Sequence, residues 1–371
     1  MKKCVVVSDS FKGTVSSREI CAIAQQVIPR HFPACEVVCI PVADGGEGTV
    51  DCFVQAMGAK RVGVTVTNAL GEKSAAAYAR LGELAIIEMA AAAGLPQVGA
   101  LRCPGTATTY GVGELIAHAV DSGCRKILLG LGGSATNDCG AGMASELGFV
   151  FLDKNGNAFV PVGGTLADIE HIISPKEPFG VPVTAACDVT NPLFGADGAA
   201  YVFAPQKGAN AEQVRALDLG LRHMSKILKR ELGFDSDNLP GAGAAGGLGA
   251  GAAAFLNARL KSGIDIVLDE SGFDELAKSA DVIVTGEGIF DSQSIRGKVM
   301  SGVCKRAAKS GAAVYAVCGC ASSDADPAEL GIKKLFVSSD GTRTMDELLI
   351  SCRSELYAAA TALAQELLKC D

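Results

Sequence analysis

A short apolar run that stops at a small acidic loop and gives way to a helical pattern occurs twice at the start of this chain, and the pattern returns near its end. Lys3 to Val7 runs into Ser8-Asp9-Ser10-Phe11-Lys12-Gly13-Thr14, and a helix follows from about Ser17 to Arg30, with Ser16 or Ser17 as N-cap and Glu19 in the first turn. Glu36 to Pro41 leads into Val42-Ala-Asp-Gly-Gly-Glu-Gly-Thr49 and a helix through Met57. From Asp281 the alternation resumes. A strand over Val282 to Thr285, a loop Gly286 to Gln293, a helix Val299 to Ser310, strands Ala313 to Val317 and Lys334 to Val337, and a capped helix Thr344 to Lys369 follow. Repeated strand-loop-helix units demand a parallel sheet, with ligand loops at the carboxyl ends of its strands.

Between these ends the periodicity changes. Arg61 to Met89 alternates apolar and polar residues around turns at Asn68 to Gly71 and at Gly82, which reads as an antiparallel meander. The expected fold is therefore α/β. Residues 1–60 and 276–371 form one parallel-sheet domain, residues 61–275 form an inserted mixed α/β domain, and a cleft between them holds the active site.

The inserted region contains the chain's most distinctive loop. Ile127 to Leu129 reads as a buried strand, after which Gly130, Gly132 and Gly133 allow a sharp turn, and Ser134, Thr136, Asn137 and Asp138 bring hydroxyl, amide and carboxylate groups ahead of a helix near Ala141. Such a loop offers main-chain N–H groups to a phosphate or carboxylate. A formal net charge of −8 opposes nucleic-acid binding, so an anionic ligand must be held by local lysines, backbone amides and a metal ion.

Other motifs fit a dinucleotide site less well in their context. Gly241-Ala-Gly-Ala-Ala-Gly246 fits a dinucleotide pattern but follows a polar stretch, Asp235 to Pro240, where a strand is needed. Gly130 to Ala135 does follow a strand, yet Asp153 falls in a polar turn and not at a second strand's end. No Walker A loop is present. The 14 cysteines are scattered through apolar patterns without zinc spacing, and the four histidines form no cluster, which fits reduced thiols in a cytoplasmic protein. The apolar run after Met1-Lys2-Lys3 ends at Val7, too short for a signal peptide, and no run has membrane-spanning length. Acidic residues recur instead at strand ends: Asp9, Asp44, Glu47, Asp138, Asp188, Glu287 and Asp291. Each is a turn former in its plainest reading, but together they provide proton acceptors and Mg²⁺ ligands in a chain without suitable histidines.

The motifs taken in order carry a resemblance. Asp9-Ser-Phe-Lys-Gly13, Pro41 to Thr49, Glu88-Met-Ala90, Thr108-Thr-Tyr-Gly-Val-Gly-Glu-Leu-Ile116, Gly132-Gly-Ser-Ala-Thr-Asn-Asp138, Ala186-Cys-Asp-Val-Thr-Asn-Pro-Leu193, Pro205-Gln-Lys-Gly-Ala209, Leu239 to Ala250 and Thr285-Gly-Glu-Gly288 resemble the motif series of the bacterial glycerate kinase type-1 family. The resemblance implies Mg²⁺- and ATP-dependent phosphorylation of D-glycerate, usually at the 2-hydroxyl, by a Rossmann-like domain carrying an inserted second domain. The chain departs from the family pattern at Cys139, where Gly is usual, at Ile289-Phe290, where Arg-Ile is common, and at Ser294 in place of Thr.

With that chemistry, the ATP phosphates are expected at Gly132, Gly133, Ser134, Thr136 and Asn137, with Gly243, Gly246 and Gly247 as a second wall. Asp188 is the first candidate for the base acting on the glycerate hydroxyl and Asp44 the second. Lys12 and Lys207 are expected on the glycerate carboxylate or the transferring phosphoryl, and Asp291 or Glu287 toward Mg²⁺. A nicotinamide-dependent hydroxyacid dehydrogenase and a non-catalytic carboxylate sensor are the alternatives. The expected partners are glycerate and ATP, without nucleic acid or membrane, in a monomer or homodimer.

Overall fold

The structure is a computed structural model of all 371 residues; it describes residues 1–11, 13–42, 50, 53–54, 58–295, 299–339 and 341–369. Among these the strands are β1 (Lys3–Ser8), β2 (Glu36–Pro41), β3 (Lys60–Thr67), β4 (Lys73–Leu81), β5 (Leu84–Glu88), β6 (Lys126–Gly130), β7 (Val150–Leu152), β8 (Ala158–Phe159), β9 (His171–Ile173), β10 (Val183–Ala186), β11 (Arg259–Lys261), β12 (Val282–Phe290), β13 (Ala313–Ala321) and β14 (Lys334–Val337). The chain divides into two compact units, Met1–Asp44 with Ile264–Asp371, and Gly45–Gly263.

The first unit is built on a five-stranded sheet of order β14-β13-β12-β1-β2, parallel throughout. The N- and C-terminal segments thus share one sheet, as expected. Successive side chains of a strand point to opposite faces, and the two cores of this unit divide accordingly. Val5, Val7, Ile283 and Val314 pack on one face with Val303 and Leu268. Cys4, Val6, Val282 and Val284 pack on the other with Ile20, Ile28, Leu356 and Leu363. Burial on both faces requires the near-continuous apolar runs that the sequence shows.

Helix starts follow local chemistry. Ser16 and Glu19 form a reciprocal capping box for Ser17–His31, and Thr344 and Glu347 form another for Met345–Leu367. One boundary differs from expectation: β12 continues to Phe290, through residues read as a loop. Its glycines serve close strand approach, since a Cβ on Gly286 would lie 2.2 Å from the Val317 carbonyl oxygen, and one on Gly319 of β13 would lie 2.4 Å from that of Gly288.

The second unit has a six-stranded sheet of order β11-β10-β6-β5-β4-β3. β3, β4 and β5 form the antiparallel meander, but β5 then pairs in parallel with β6, so the meander is the edge of a mixed sheet. β6, β10 and β11 extend the parallel part. A small antiparallel sheet, β8-β7-β9, lies in the same unit. The core gathers Ile87, Leu129 and Ala185 from the large sheet with Leu115, Leu221 and Leu248 from the helices Tyr110–Asp121, Ala211–Leu232 and Ala244–Leu256. Among the described residues no helix is long and apolar enough to cross a membrane, and every described cysteine is free.

Candidate functional site

Each unit presents a polar cluster at the carboxyl ends of its parallel strands. In the second unit the register aligns Glu88 and Ala186 with Gly130, and Ala186 with Lys261, so the residues following β5, β6, β10 and β11 emerge at one end. The loop after β6 is pinned there: Met89 N–H donates to the Gly130 carbonyl at 2.9 Å, Leu95 N–H to Gly133 at 2.8 Å, and Ala135 N–H to Ala93 at 2.9 Å.

The loop's remaining groups are the notable ones. Among the described residues the amides of Gly132, Gly133 and Ser134 donate no hydrogen bond, with Gly132 half-buried and Gly133 exposed at φ +74°. Thr136 and Asn137 are wholly buried, yet among the described residues Thr136 Oγ1 and both polar atoms of the Asn137 side chain have no partner. An orphaned buried polar atom costs about 1–3 kcal/mol, so a ligand or water must account for such a group of them.

Asp138, read as one of the acidic loop residues, has a structural task. Its Oδ2 accepts from Thr109 N–H and Thr109 Oγ1, both at 2.8 Å, and from Gly142 N–H at 3.4 Å, while Oδ1 accepts from Gly140 N–H at 3.2 Å. Complete burial pushes its pKa above the usual carboxylate range, with the Thr109 donors opposing the rise. The adjacent Cys139 sits at φ +54°, the left-handed region that glycine adopts without penalty.

The second glycine stretch lies directly against this loop. Cys139 N–H donates to the Gly246 carbonyl at 3.1 Å, and a Cβ on Gly246 would stand 2.0 Å from the Thr136 carbonyl oxygen. Gly247 (φ +92°) faces Cys139 Cα, and a Cβ on Gly243 would meet the Pro192 carbonyl oxygen at 2.2 Å. These glycines let two loops touch backbone to backbone.

Lys207 stands behind the loop. It is 2% exposed, and its Nζ donates to Ser134 Oγ and to the Thr136 carbonyl, both at 2.7 Å. Burial lowers its pKa to about 7, and the Asp138 charge opposes the drop. Because the unfolded chain holds this proton up to about 10.5, the buried charge costs stability fully below pH 7, and the cost fades as pH rises from about 7 to about 10.5. The urea midpoint of the parent protein, taken relative to Lys207→Met, is therefore expected to rise between about pH 6.5 and about pH 9.5. A gap that does not change with pH would count against a buried, titrating lysine.

Asp188 follows β10, is exposed, and accepts from Gly263 N–H through Oδ1 at 2.8 Å. Two residues that the sequence reading gave no role share this strand end: Glu88, whose Oε1 accepts from Val50 N–H at 2.7 Å, and the exposed Lys261. The three-residue strand that ends at Lys261 is too short to show periodicity.

In the first unit a cavity of about 290 Å³ opens at the ends of β1, β12 and β13, with Asp9 and Glu287 on its wall. Glu287 is 4% exposed; Asp291 accepts from Ser294 N–H at 3.1 Å and Ser294 Oγ at 3.3 Å, and so caps its own turn. Among the described residues no group of three or more His, Cys, Asp or Glu side chains is arranged to hold a metal. Lys12, Asp44, Glu47, Arg296 and Lys298 lie outside the described residues.

Comparison with known proteins bears on this arrangement directly. Residues 4–368 match the Glycerate kinase family. The chain is 44% identical over 352 residues to a glycerate kinase of Bacillus cereus, covering 93% of this chain and 92% of that protein. It is 41% identical over 371 residues to the glycerate 2-kinase of Escherichia coli, covering 97% of each. The crystal structure of a putative glycerate kinase 2 from Salmonella typhimurium LT2 superposes with a TM-score of 0.88 at 39% identity, over 99% of this chain and 98% of that one. The strand-end loops thus occur in a protein related over nearly its whole length to glycerate kinases; the chain belongs to the glycerate kinase family and is a phosphotransferase acting on an alcohol group.

Proposed function

We propose that this enzyme transfers the γ-phosphoryl of ATP to the 2-hydroxyl of D-glycerate, with the donor's phosphates held by the loop Gly132 to Asn137. The observation that carries this reading is the set of donors on that loop with no partner among the described residues: three main-chain amides, the Thr136 hydroxyl and the Asn137 amide. Phosphoryl transfer asks a protein for positioning and charge neutralisation more than for covalent work, and fixed amides provide the first of these. Gly246 and Gly247 lie against the loop and its end at Cys139, and Gly243 packs against Pro192 beside them.

Asp188, exposed and held by the Gly263 amide, is the base that receives the glycerate hydroxyl proton; Asp44 is second in line. Lys12 neutralises glycerate carboxylate or phosphoryl charge, and Lys207 contributes its charge from beneath the loop. For Mg²⁺ the first unit offers a donor set of the right kind: two carboxylates, Asp9 and Glu287, share one cavity wall, and this cation takes one or two protein carboxylates. Glu287 and Asp291 are the two carboxylates assigned toward Mg²⁺, Asp291 lying in the turn where it also accepts from Ser294. Bound Mg²⁺ supplies neutralisation of phosphate charge. The free thiols fit a cytoplasmic location.

Incubation with D-glycerate and ATP-Mg²⁺ is expected to release ADP and yield 2-phosphoglycerate by ³¹P NMR, with no NADH formed in a parallel reaction with NAD⁺. NADH without ADP would replace the kinase by a dehydrogenase, and 3-phosphoglycerate would move the acceptor to the other hydroxyl.

A further inference from the structure

The buried lysine invites a closer look, because a cation with 2% exposure is in a poor position to meet a substrate. What it meets is Ser134. The Nζ–Oγ bond of 2.7 Å makes the serine oxygen an acceptor, and the second bond, to the Thr136 carbonyl at 2.7 Å, fixes the ammonium between the two ends of the turn. While it carries its proton, below about pH 7, Lys207 has donors only, so in that form Ser134 cannot point its own hydrogen back at it. Among the described residues that hydroxyl hydrogen has no acceptor, and Ser134 sits beside the unengaged amides of Gly132 and Gly133. The charged groups facing the ammonium and its turn are Asp138 and, from the outside, Arg102, whose Nη1 donates to the Gln206 carbonyl at 3.3 Å.

We propose that Lys207 is a positioning residue for the phosphoryl donor: it touches no substrate and forces the Ser134 hydroxyl to present its hydrogen to a phosphate oxygen. This rests on the reading of the Gly132 to Asn137 loop as the phosphate cradle. It separates two roles that the residue type alone leaves merged, since a lysine at a kinase site is expected to contact phosphate or carboxylate itself. A serine already accepting a charge-assisted bond is a better donor to its next partner, because hydrogen bonds in a chain polarise one another.

The test is a double-mutant cycle on kcat/KM for ATP with Ser134→Ala, Lys207→Met and the double variant, the parent being assayed first with D-glycerate and ATP-Mg²⁺. Absence of parent turnover would fail the functional reading itself. Given turnover, each single variant is expected to raise KM for ATP about tenfold, the loss of one charge-assisted contact, while KM for glycerate stays within about twofold. The double variant is expected to be no worse than the weaker single. Independent losses that multiply, or a Lys207→Met effect on KM for glycerate, would overturn the proposal. Ser134→Ala decides the matter if Lys207→Met does not fold: an unchanged KM for ATP would overturn it, and a rise that Ser134→Thr restores would support it.

Discussion

Asp188→Asn is expected to lower kcat on glycerate about 100-fold or more, with little change in stability. The asparagine side-chain oxygen can accept from Gly263 N–H as the carboxylate does at 2.8 Å, so the local structure keeps its anchor. The carboxylate's charge and its capacity to take a proton are lost. Asp188 suits the task because it stands at the end of a buried parallel strand yet is exposed, and its companion Asp138 does not, being buried and encircled by Thr109, Gly140 and Gly142. Steady-state turnover of the variant, with urea unfolding as the control, separates the possibilities. Near-parental kcat would pass the role to another carboxylate, with Asp44 next.

Gly246→Ala should be among the most damaging small substitutions in the chain. The backbone there has φ +68°, which costs an L-residue about 1–2 kcal/mol. The added carbon would also lie 2.0 Å from the Thr136 carbonyl oxygen and 2.6 Å from Asn137 Cα, both main-chain atoms that cannot swing away. Adding overpacking to conformational strain gives a loss of about 3 kcal/mol or more, and the displaced atoms belong to the proposed phosphate loop, so activity should fall with stability. Gly233, with a closely similar φ of +66° and nothing within 4 Å, isolates the strain. Gly233→Ala is expected to cost only about 1 kcal/mol and leave turnover unchanged. Equal midpoints for the two variants in urea would show that loop-to-loop contact at Gly246 is not what the glycine protects.

The parts of the fold set by local chemistry were readable in advance. Ser16 with Glu19 and Thr344 with Glu347 announce helix starts within a few residues of sequence, and the alternation over β3 to β5 announces its own pairing. Distant partners left weaker traces. Gly286 and Gly288 look like turn glycines until Val317 and Gly319 of the neighbouring strand are placed beside them. Lys207 in Pro-Gln-Lys-Gly resembles a solvated loop cation, and only Ser134 and Thr136, far away along the chain, explain its burial. Asp138 is similar: its caging by Thr109 depends on a helix start that no local pattern connects to it. The glycine-rich loop itself was legible because glycines between a strand and a helix bare main-chain atoms, which composition exposes directly.

That loop is the centre of the account, and its amides can be observed one at a time. In ¹H–¹⁵N correlation spectra of the full-length protein, a non-hydrolysable ATP analogue with Mg²⁺ is expected to shift the amide protons of Gly132, Gly133 and Ser134 downfield, as hydrogen bonding to phosphate requires. The amides of Ala135 and Cys139, already bonded to Ala93 and Gly246, should move far less. Saturation with nucleotide that leaves Gly132, Gly133 and Ser134 in place would contradict the claim that they cradle its phosphates.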